Sequence, residues 1–199
     1  MNHRTVYLES DKLQLSPATR EDFGAKMEGW INDKEVTQFL SRGTFPAQAE
    51  TLQKEFDASR SQQSDLQFAI IDKATGTYIG VAGLHSINWL SRHAEFRILI
   101  GEKTYWGKGY GAETCQLLSA YAFEGLNLNK VWLGVNTGNS RAFESYKRCG
   151  FQPEGVLRDE LFRNNKFHDI ARMSLLRTEY NNLKPKWSVY KWIQKTFYV

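Results

Sequence analysis

The chain has 199 residues, 41% of them hydrophobic and 24% charged, with a formal net charge of +4. That length and apolar share suit one compact domain with its own core, and the modest positive charge gives no case for nucleic acid while favouring a polyanionic ligand. No stretch is long and apolar enough to span a bilayer, no signal-peptide pattern stands at Met1 to Ser10, and Cys115 and Cys149 have neither metal-ligand spacing nor a disulfide framework, so a reducing cytoplasm is the expected location.

In chain order, Leu13 and Leu15 alternate with polar neighbours ahead of Pro17, which predicts a first strand. Thr19 followed by Asp22 reads as an N-cap with an acidic first turn, opening a helix from about Arg20 to Trp30. Asn32-Asp33 is placed to cap a second short helix carrying Val36, Phe39 and Leu40. Arg42 to Pro46 breaks it, and helical periodicity resumes from Ala49 to Ser59. Leu66 to Ile71 and Tyr78 to Leu84 are strand-like around a turn at Asp72 to Gly76, and His93 to Ile100 is a further strand. An amphipathic helix with Leu117, Leu118, Tyr121 and Ala122 follows, on which Cys115 reads as a small core residue. Val131 to Val135 then reads as a buried strand, and Asn139 caps a helix that Gly150 stops. Val156 to Phe162 and Phe167 to Leu176 flank a hairpin signal at Arg163 to Lys166. This order predicts a mixed α/β domain without internal repeats.

Between the strand ending at Ile100 and the central helix lies Trp106-Gly107-Lys108-Gly109-Tyr110-Gly111, with a glycine at every second position. A helix N-terminus offers unpaired N–H groups and the positive end of the dipole, so it attracts phosphate. The glycines would let that backbone approach an anion closely. The plainer alternative is a tight strand-to-helix turn. The spacing is neither the G-x-x-x-x-G-K-[ST] motif nor a G-x-G-x-x-G followed by an acidic residue about twenty positions on.

This segment resembles the pyrophosphate loop of the GNAT superfamily of acetyl-CoA-dependent N-acetyltransferases. The family's pattern is Gln or Arg, two residues, Gly, one residue, then Gly or Ala. Gly109 and Gly111 match, while Trp106 stands where Gln or Arg is usual, which touches one side-chain contact and leaves the backbone cradle intact. Asn139 to Phe151 resembles the family segment in which an Asn opens a helix beneath the cofactor and a Tyr, here Tyr146, follows two turns on. Lys147-Arg148-Cys149-Gly150-Phe151 matches its basic-x-x-Gly-Phe ending. Asn139 and Tyr146 share one helix face, and their plainer roles are an N-cap and a core aromatic. The resemblance runs from about Leu13 to Tyr180. It implies a GNAT-like fold with a central, mostly antiparallel sheet splayed around the cofactor and flanked by helices. It also implies acetyl-CoA as co-substrate, no metal, and cofactor contacts from Leu99, Ile100, Trp106, Gly107, Lys108, Gly109, Tyr110, Gly111, Ala112, Asn139, Ala142, Phe143, Tyr146 and Lys147.

Acetyl transfer to an amine needs the amine neutral, although a free Lys-type amine has a pKa near ~10.4. Glu95 is the first candidate to accept that proton, since family members often carry Glu on this strand. Its plainer role is a solvent-facing residue paired with Arg97. His85 is the second candidate, because neutral imidazole is a competent base near neutral pH, and a structural His is its plainer role. The resemblance implies that a backbone N–H near Leu99 or Ile100 faces the acetyl oxygen, and that Tyr146 protonates the departing thiolate.

Asn32 to Leu40 is similar to the substrate-side helices of bacterial amino-sugar acetyltransferases, whereas Glu154 to Arg158 and Asp169 resemble the ribosomal-protein N-terminal and polyamine branch. A polyamine wants an acidic pocket, yet Phe39 to Pro46 has no carboxylate and contains Arg42. The expected acceptor is therefore a primary amine on a nucleotide-linked amino sugar. A protein α-amine or a polyamine are the alternatives, and a non-catalytic CoA-binding regulator is the alternative of another class. Trp30, Phe39 and Trp89 are candidates to stack on a base or sugar, with His85 beside them, although such aromatics also build cores. Neither nucleic acid nor a transmembrane segment is expected, and both monomer and homodimer stay open. The catalytic domain is expected over 1–180, followed by a basic, aromatic extension over 181–199. There Tyr190, Ile193 and Phe197 fall on one helical stripe, which reads either as a membrane-surface or partner-docking helix or as a helix packed on its own domain.

Overall fold

The structure, a computed structural model, describes residues 4–60 and 64–198. Its first half contains β1 (Leu8–Glu9), β2 (Leu13–Pro17), a 3-10 turn (Arg20–Phe23), α1 (Ala25–Asn32), α2 (Ala49–Arg60), β3 (Leu66–Asp72), β4 (Tyr78–Asn88) and β5 (His93–Ile100). The second half contains α3 (Tyr110–Ala120), β6 (Lys130–Asn136), α4 (Ser140–Arg148), β7 (Gln152–Arg163), β8 (Lys166–Leu176), α5 (Arg177–Leu183) and α6 (Tyr190–Phe197). Met1 to His3, in the segment read for a leader pattern, and Val199, the end of the tail, lie outside the described residues.

The strands form one sheet in the order β1-β2-β3-β4-β5-β6-β8-β7. Every neighbouring pair is antiparallel except β5 and β6, which run parallel and pair only through His93–Glu95 and Lys130–Trp132. A parallel pair needs a crossover, and α3 supplies it. Beyond Glu95, β5 stays on β4 up to Ile100, while β6 stays on β8 up to Asn136. The sheet therefore opens between them.

Alternation gives each strand two faces, and over the central strands both are covered, whereas β7 at the sheet edge is exposed along most of its length. On one side Phe96, Leu84 and Leu133 pack with Leu118 of α3, Phe143 of α4, Tyr180 of α5 and Ile193 of α6. On the other, Met27 and Trp30 of α1 and Leu52 and Phe56 of α2 form a second core against Tyr78, Val81 and Leu99.

Three expectations change. The helix read over Arg20 to Trp30 is a 3-10 turn and a separate α1, because Gly24 between them is extended. The short helix read over Val36 to Leu40 is a run of turns. There Asp33 Oδ1 accepts from the Glu35 N–H at 2.8 Å, so its side chain competes with the helical bonds. The boundary at 180/181 falls inside α5, and Trp187, Val189 and Ile193 are buried in the first core, Trp187 lying 5.3 Å from the ring of Tyr180. Of the two tail readings, the helix packed on its own domain is the one observed: Ile193 and Phe197 both pack into that core. The hairpin signal is met by Asn164 and Asn165, whose φ values of 50° and 56° suit a two-residue turn.

Gly101 closes β5 under the ring of Trp30, and a Cβ there would stand 1.9 Å from Trp30 Cδ2. Gly101→Ala is expected to cost about 1–3 kcal/mol through overpacking, lowering Tm by about 2–12 °C. Gly29, on the exposed side of α1 with nothing within 4 Å of a Cβ, should gain about 0.5–1 kcal/mol as Gly29→Ala. Calorimetric melts of both variants check the pair, and a Gly101→Ala melt at the wild-type temperature would refute the contact.

Candidate active site

Gly107 and Gly109 hold φ at +74° and +90°, in the left-handed region that side chains avoid. Nothing lies within 4 Å of a Cβ built on Gly107 or Gly111, so the loop has an open side. Gly109 caps α3 without a side chain, and the first helical bond runs from the Glu113 N–H to the Gly109 carbonyl. The N–H groups of Tyr110, Gly111 and Ala112 thus lack helical acceptors and point toward that open side. This cradle fits a diphosphate. Around it, Lys12 from the β1–β2 turn donates to the Lys108 carbonyl at 3.1 Å and pairs with Glu113 at 3.4 Å. The Trp106 indole N–H donates to the Ile100 carbonyl at 2.8 Å, and the Arg141 guanidinium lies 5.0 Å over the Trp106 ring. Tyr110 turns inward: its hydroxyl donates to Asp72 at 2.7 Å, and burial together with that carboxylate pushes the phenol up to about 12.

The opening between β5 and β6 leads away from this cradle. The Gly101 N–H bonds the Ile79 carbonyl at 2.9 Å. Extending that alternation along the register turns the Leu99 N–H toward β4 and those of Ile98 and Ile100 toward the opening. Of the pair named from the sequence, Ile100 is the one whose N–H faces the gap, while the Leu99 side chain packs in the second core. Across the gap, Ala142, Phe143 and Tyr146 of α4 pack on the first core, with the Tyr146 ring edge-on to Phe96 at 6.2 Å. Burial, and then the Cys115 and Cys149 thiols, push the Tyr146 phenol up, so it stays protonated at neutral pH. Its hydroxyl makes no protein hydrogen bond among the described residues. Asn139 takes its plainer role: Oδ1 accepts from the Ala142 N–H at 3.1 Å as the cap of α4. Lys147 is engaged on the surface with Glu144 at 3.2 Å.

On the opposite face, Glu95 stands directly across from His85. Glu95 accepts from Arg97 Nη2 at 2.6 Å, which is the plainer role read for it. His85 Nδ1 lies 2.9 Å from Asp65 Oδ2, and the other Asp65 oxygen accepts from the Ser86 N–H at 2.9 Å. Burial disfavours the Asp65 charge, but these two hydrogen bonds outweigh it and hold its carboxyl below the usual range. An ionised Asp65 can only accept, so Nδ1 carries the His85 proton and Nε2 keeps its lone pair. Burial lowers the His85 pKa, only partly opposed by Asp65. The ring leans along β4 over Gly83, where a Cβ would come within 2.8 Å of Nε2.

The turns after α1 roof this face. Arg163, buried at the hairpin end, donates to the hydroxyls of Thr37 (2.8 Å) and Thr44 (3.2 Å) and to the Arg42 carbonyl (3.1 Å). Phe39 reaches to 3.7 Å from a Cβ on Gly138, so the roof touches the β6–α4 turn. Asp33 and Glu35 hold the Lys103 ammonium at 2.9 and 2.7 Å. The stacking role expected for Trp30 is corrected: the ring is buried against Tyr78 and Gly101 and offers no face to a ligand. Trp89 stands exposed on the β4–β5 turn. No local motif marks Lys12, Asp65 or Arg141, and the hairpin signal marks Arg163 only as part of a turn, since the contacts of all four come from distant segments. Among the described residues no cluster of His, Cys, Asp or Glu is placed to hold a metal, and no helix is long and apolar enough to cross a membrane.

The family described as the acetyltransferase (GNAT) domain matches residues 12–152. The chain is 31% identical to a spermidine N(1)-acetyltransferase of Escherichia coli (strain K12) over 84% of its own length and 88% of that relative. It is 36% identical to a Vibrio cholerae spermidine N(1)-acetyltransferase over 113 residues, a match that spans 57% of this chain and 65% of that relative. The fold is similar to the crystal structure of a Vibrio cholerae spermidine N-acetyltransferase in complex with CoA and spermine. That match has a TM-score of 0.79 and 28% identity, and covers 85% of this chain and 98% of the other.

Because its folded-state pKa is depressed, His85 should remain neutral below the ordinary value of about 6.5 and protonate only at lower pH. Asp65 raises this pKa, so Asp65→Asn should lower the midpoint further. NMR titration of the imidazole protons measures both, and a wild-type midpoint above the ordinary value would contradict the geometry.

Proposed function

The chain belongs to the GNAT acetyltransferase family and is an acetyl-CoA-dependent N-acetyltransferase, and from that premise we propose that its acceptor is a primary amine of an aliphatic polyamine such as spermidine. The observation that carries this reading is the likeness to spermidine acetyltransferases along most of the chain. Carboxylates on the acceptor side support it. The Phe39 to Pro46 stretch is not acidic, but Asp33 and Glu35 enter from the preceding turn, Asp65 from just before β3 and Glu95 from β5. Each already holds a cationic or N–H partner, so an alkylammonium chain would have to share or displace that partner. The amino-sugar acceptor read from Asn32 to Leu40 gives way: that stretch is turns rather than substrate-side helices, and Trp30 has no free face.

Acetyl-CoA supplies a thioester carbonyl that is open to attack by a neutral amine. The α3 N-terminus and the loop from Trp106 to Gly111 hold the diphosphate, and the opening between β5 and β6 receives the pantetheine arm. The Ile98 and Ile100 N–H groups are oriented to stabilise charge on the acetyl oxygen. His85, oriented by Asp65, accepts the amine proton at Nε2, which has no protein partner among the described residues. Glu95, paired with Arg97, lines the acceptor path. Tyr146, protonated and close to the first core, returns a proton to the thiolate.

Presented with spermidine, short peptides and UDP-amino sugars together, the enzyme should acetylate the polyamine, with products weighed by mass spectrometry. Acetylation confined to peptides or sugars would overturn the acceptor while leaving the reaction type. Tyr146→Phe should lower kcat by about 10²-fold with acetyl-CoA affinity near wild type. In kcat/KM, activity should fall as pH drops through the depressed His85 pKa. His85→Gln should abolish that limb and Glu95→Gln should keep it; the reverse pattern would assign the base to Glu95.

A further inference from the structure

Position 106 holds Trp where the family pattern has Gln or Arg, so the loop offers an indole rather than a polar side chain there. The indole is fixed. Its N–H is bonded to the Ile100 carbonyl at the end of β5, and its ring packs beside Leu99 in the second core. A fixed aromatic face is a seat for a cation, and Arg141, the second residue of α4, occupies it at 5.0 Å. Arg141 thus reaches from the start of α4 to the loop that follows β5. Its charge is uncommitted: among the described residues it pairs with no carboxylate, whereas Lys12 is shared between Glu113 and the Lys108 carbonyl. Stacking on an indole leaves the guanidinium edge free, and that planar fork of N–H donors matches two phosphate oxygens.

We propose that Arg141, seated on Trp106, binds the diphosphate of acetyl-CoA and replaces from α4 the Gln or Arg that the loop lacks. The assignment rests on the acetyl-CoA reading above, and wild-type protein that bound no acetyl-CoA would refute that reading rather than this one. The test measures dissociation constants by calorimetry, with competition titration for weak ligands, for acetyl-CoA, acetyl-3′-dephospho-CoA and S-acetyl-pantetheine. Arg141→Gln should weaken the first two by about tenfold or more, the size of a lost charged hydrogen bond, and leave S-acetyl-pantetheine within about twofold. Adding Trp106→Arg to Arg141→Gln should restore most of the lost affinity. Equal weakening of all three ligands would reduce Arg141 to packing. A penalty confined to acetyl-CoA would move its contact to the 3′-phosphate. Unchanged affinity for acetyl-CoA would remove it from the site. Each of these three results overturns the proposal.

Discussion

A β-sheet rarely parts in its middle, because each separated strand leaves a row of N–H and C=O groups without partners. Here β5 and β6 share three residue pairs and then diverge, one held by β4 and the other by β8. The exposed carbonyl of Ile100 is taken by the Trp106 indole, which folds the loop back over the end of β5. The remaining groups of Ile98 and Ile100 face a gap whose far wall is α4. The opening sets which N–H groups of β5 are left without a strand partner, and Tyr146 of α4 stands across it.

The two faces of the sheet carry different electrostatics. The cradle at α3 is ringed by Lys12, Lys108 and Arg141, suited to a polyanion. Elsewhere Asp33, Glu35, Asp65 and Glu95 are each paired, with Lys103, His85 or Arg97. The carboxylates are not bare, since Lys103, Arg97 and His85 already occupy them.

Arg163 joins these parts mechanically. Its guanidinium is buried and, among the described residues, is bonded to neutral oxygens of the roof, which ties the hairpin and the turns after α1 into one piece. Phe39 extends that piece to Gly138 beside the cap of α4. Through this contact the acceptor roof and the cofactor wall touch, although they belong to opposite sides of the sheet.

Much was legible locally. Alternation marked nearly all the strands, Asn139 marked the start of α4, and the alternating glycines marked the loop, because each depends on residues within one or two turns of each other. The resemblance carried by Trp106 to Gly111 and by Asn139 to Phe151 brought the family and its cofactor into view. What escaped depends on distant segments. The turns at Asp33 replaced a helix because a side-chain oxygen outcompeted backbone bonds, and Trp30 looked available until Gly101 was seen beneath it. The pairing of Glu95 with Arg97 was within reach of the sequence because the two lie two residues apart, whereas the Asp65 partner of His85 comes from a segment twenty residues away. By itself the sequence determined the order of elements, the anion cradle and the reaction class, since these follow from short-range periodicity and motif. Only the tertiary structure decided which polar groups remain unpaired, because pairing is a property of the folded neighbourhood and not of spacing along the chain.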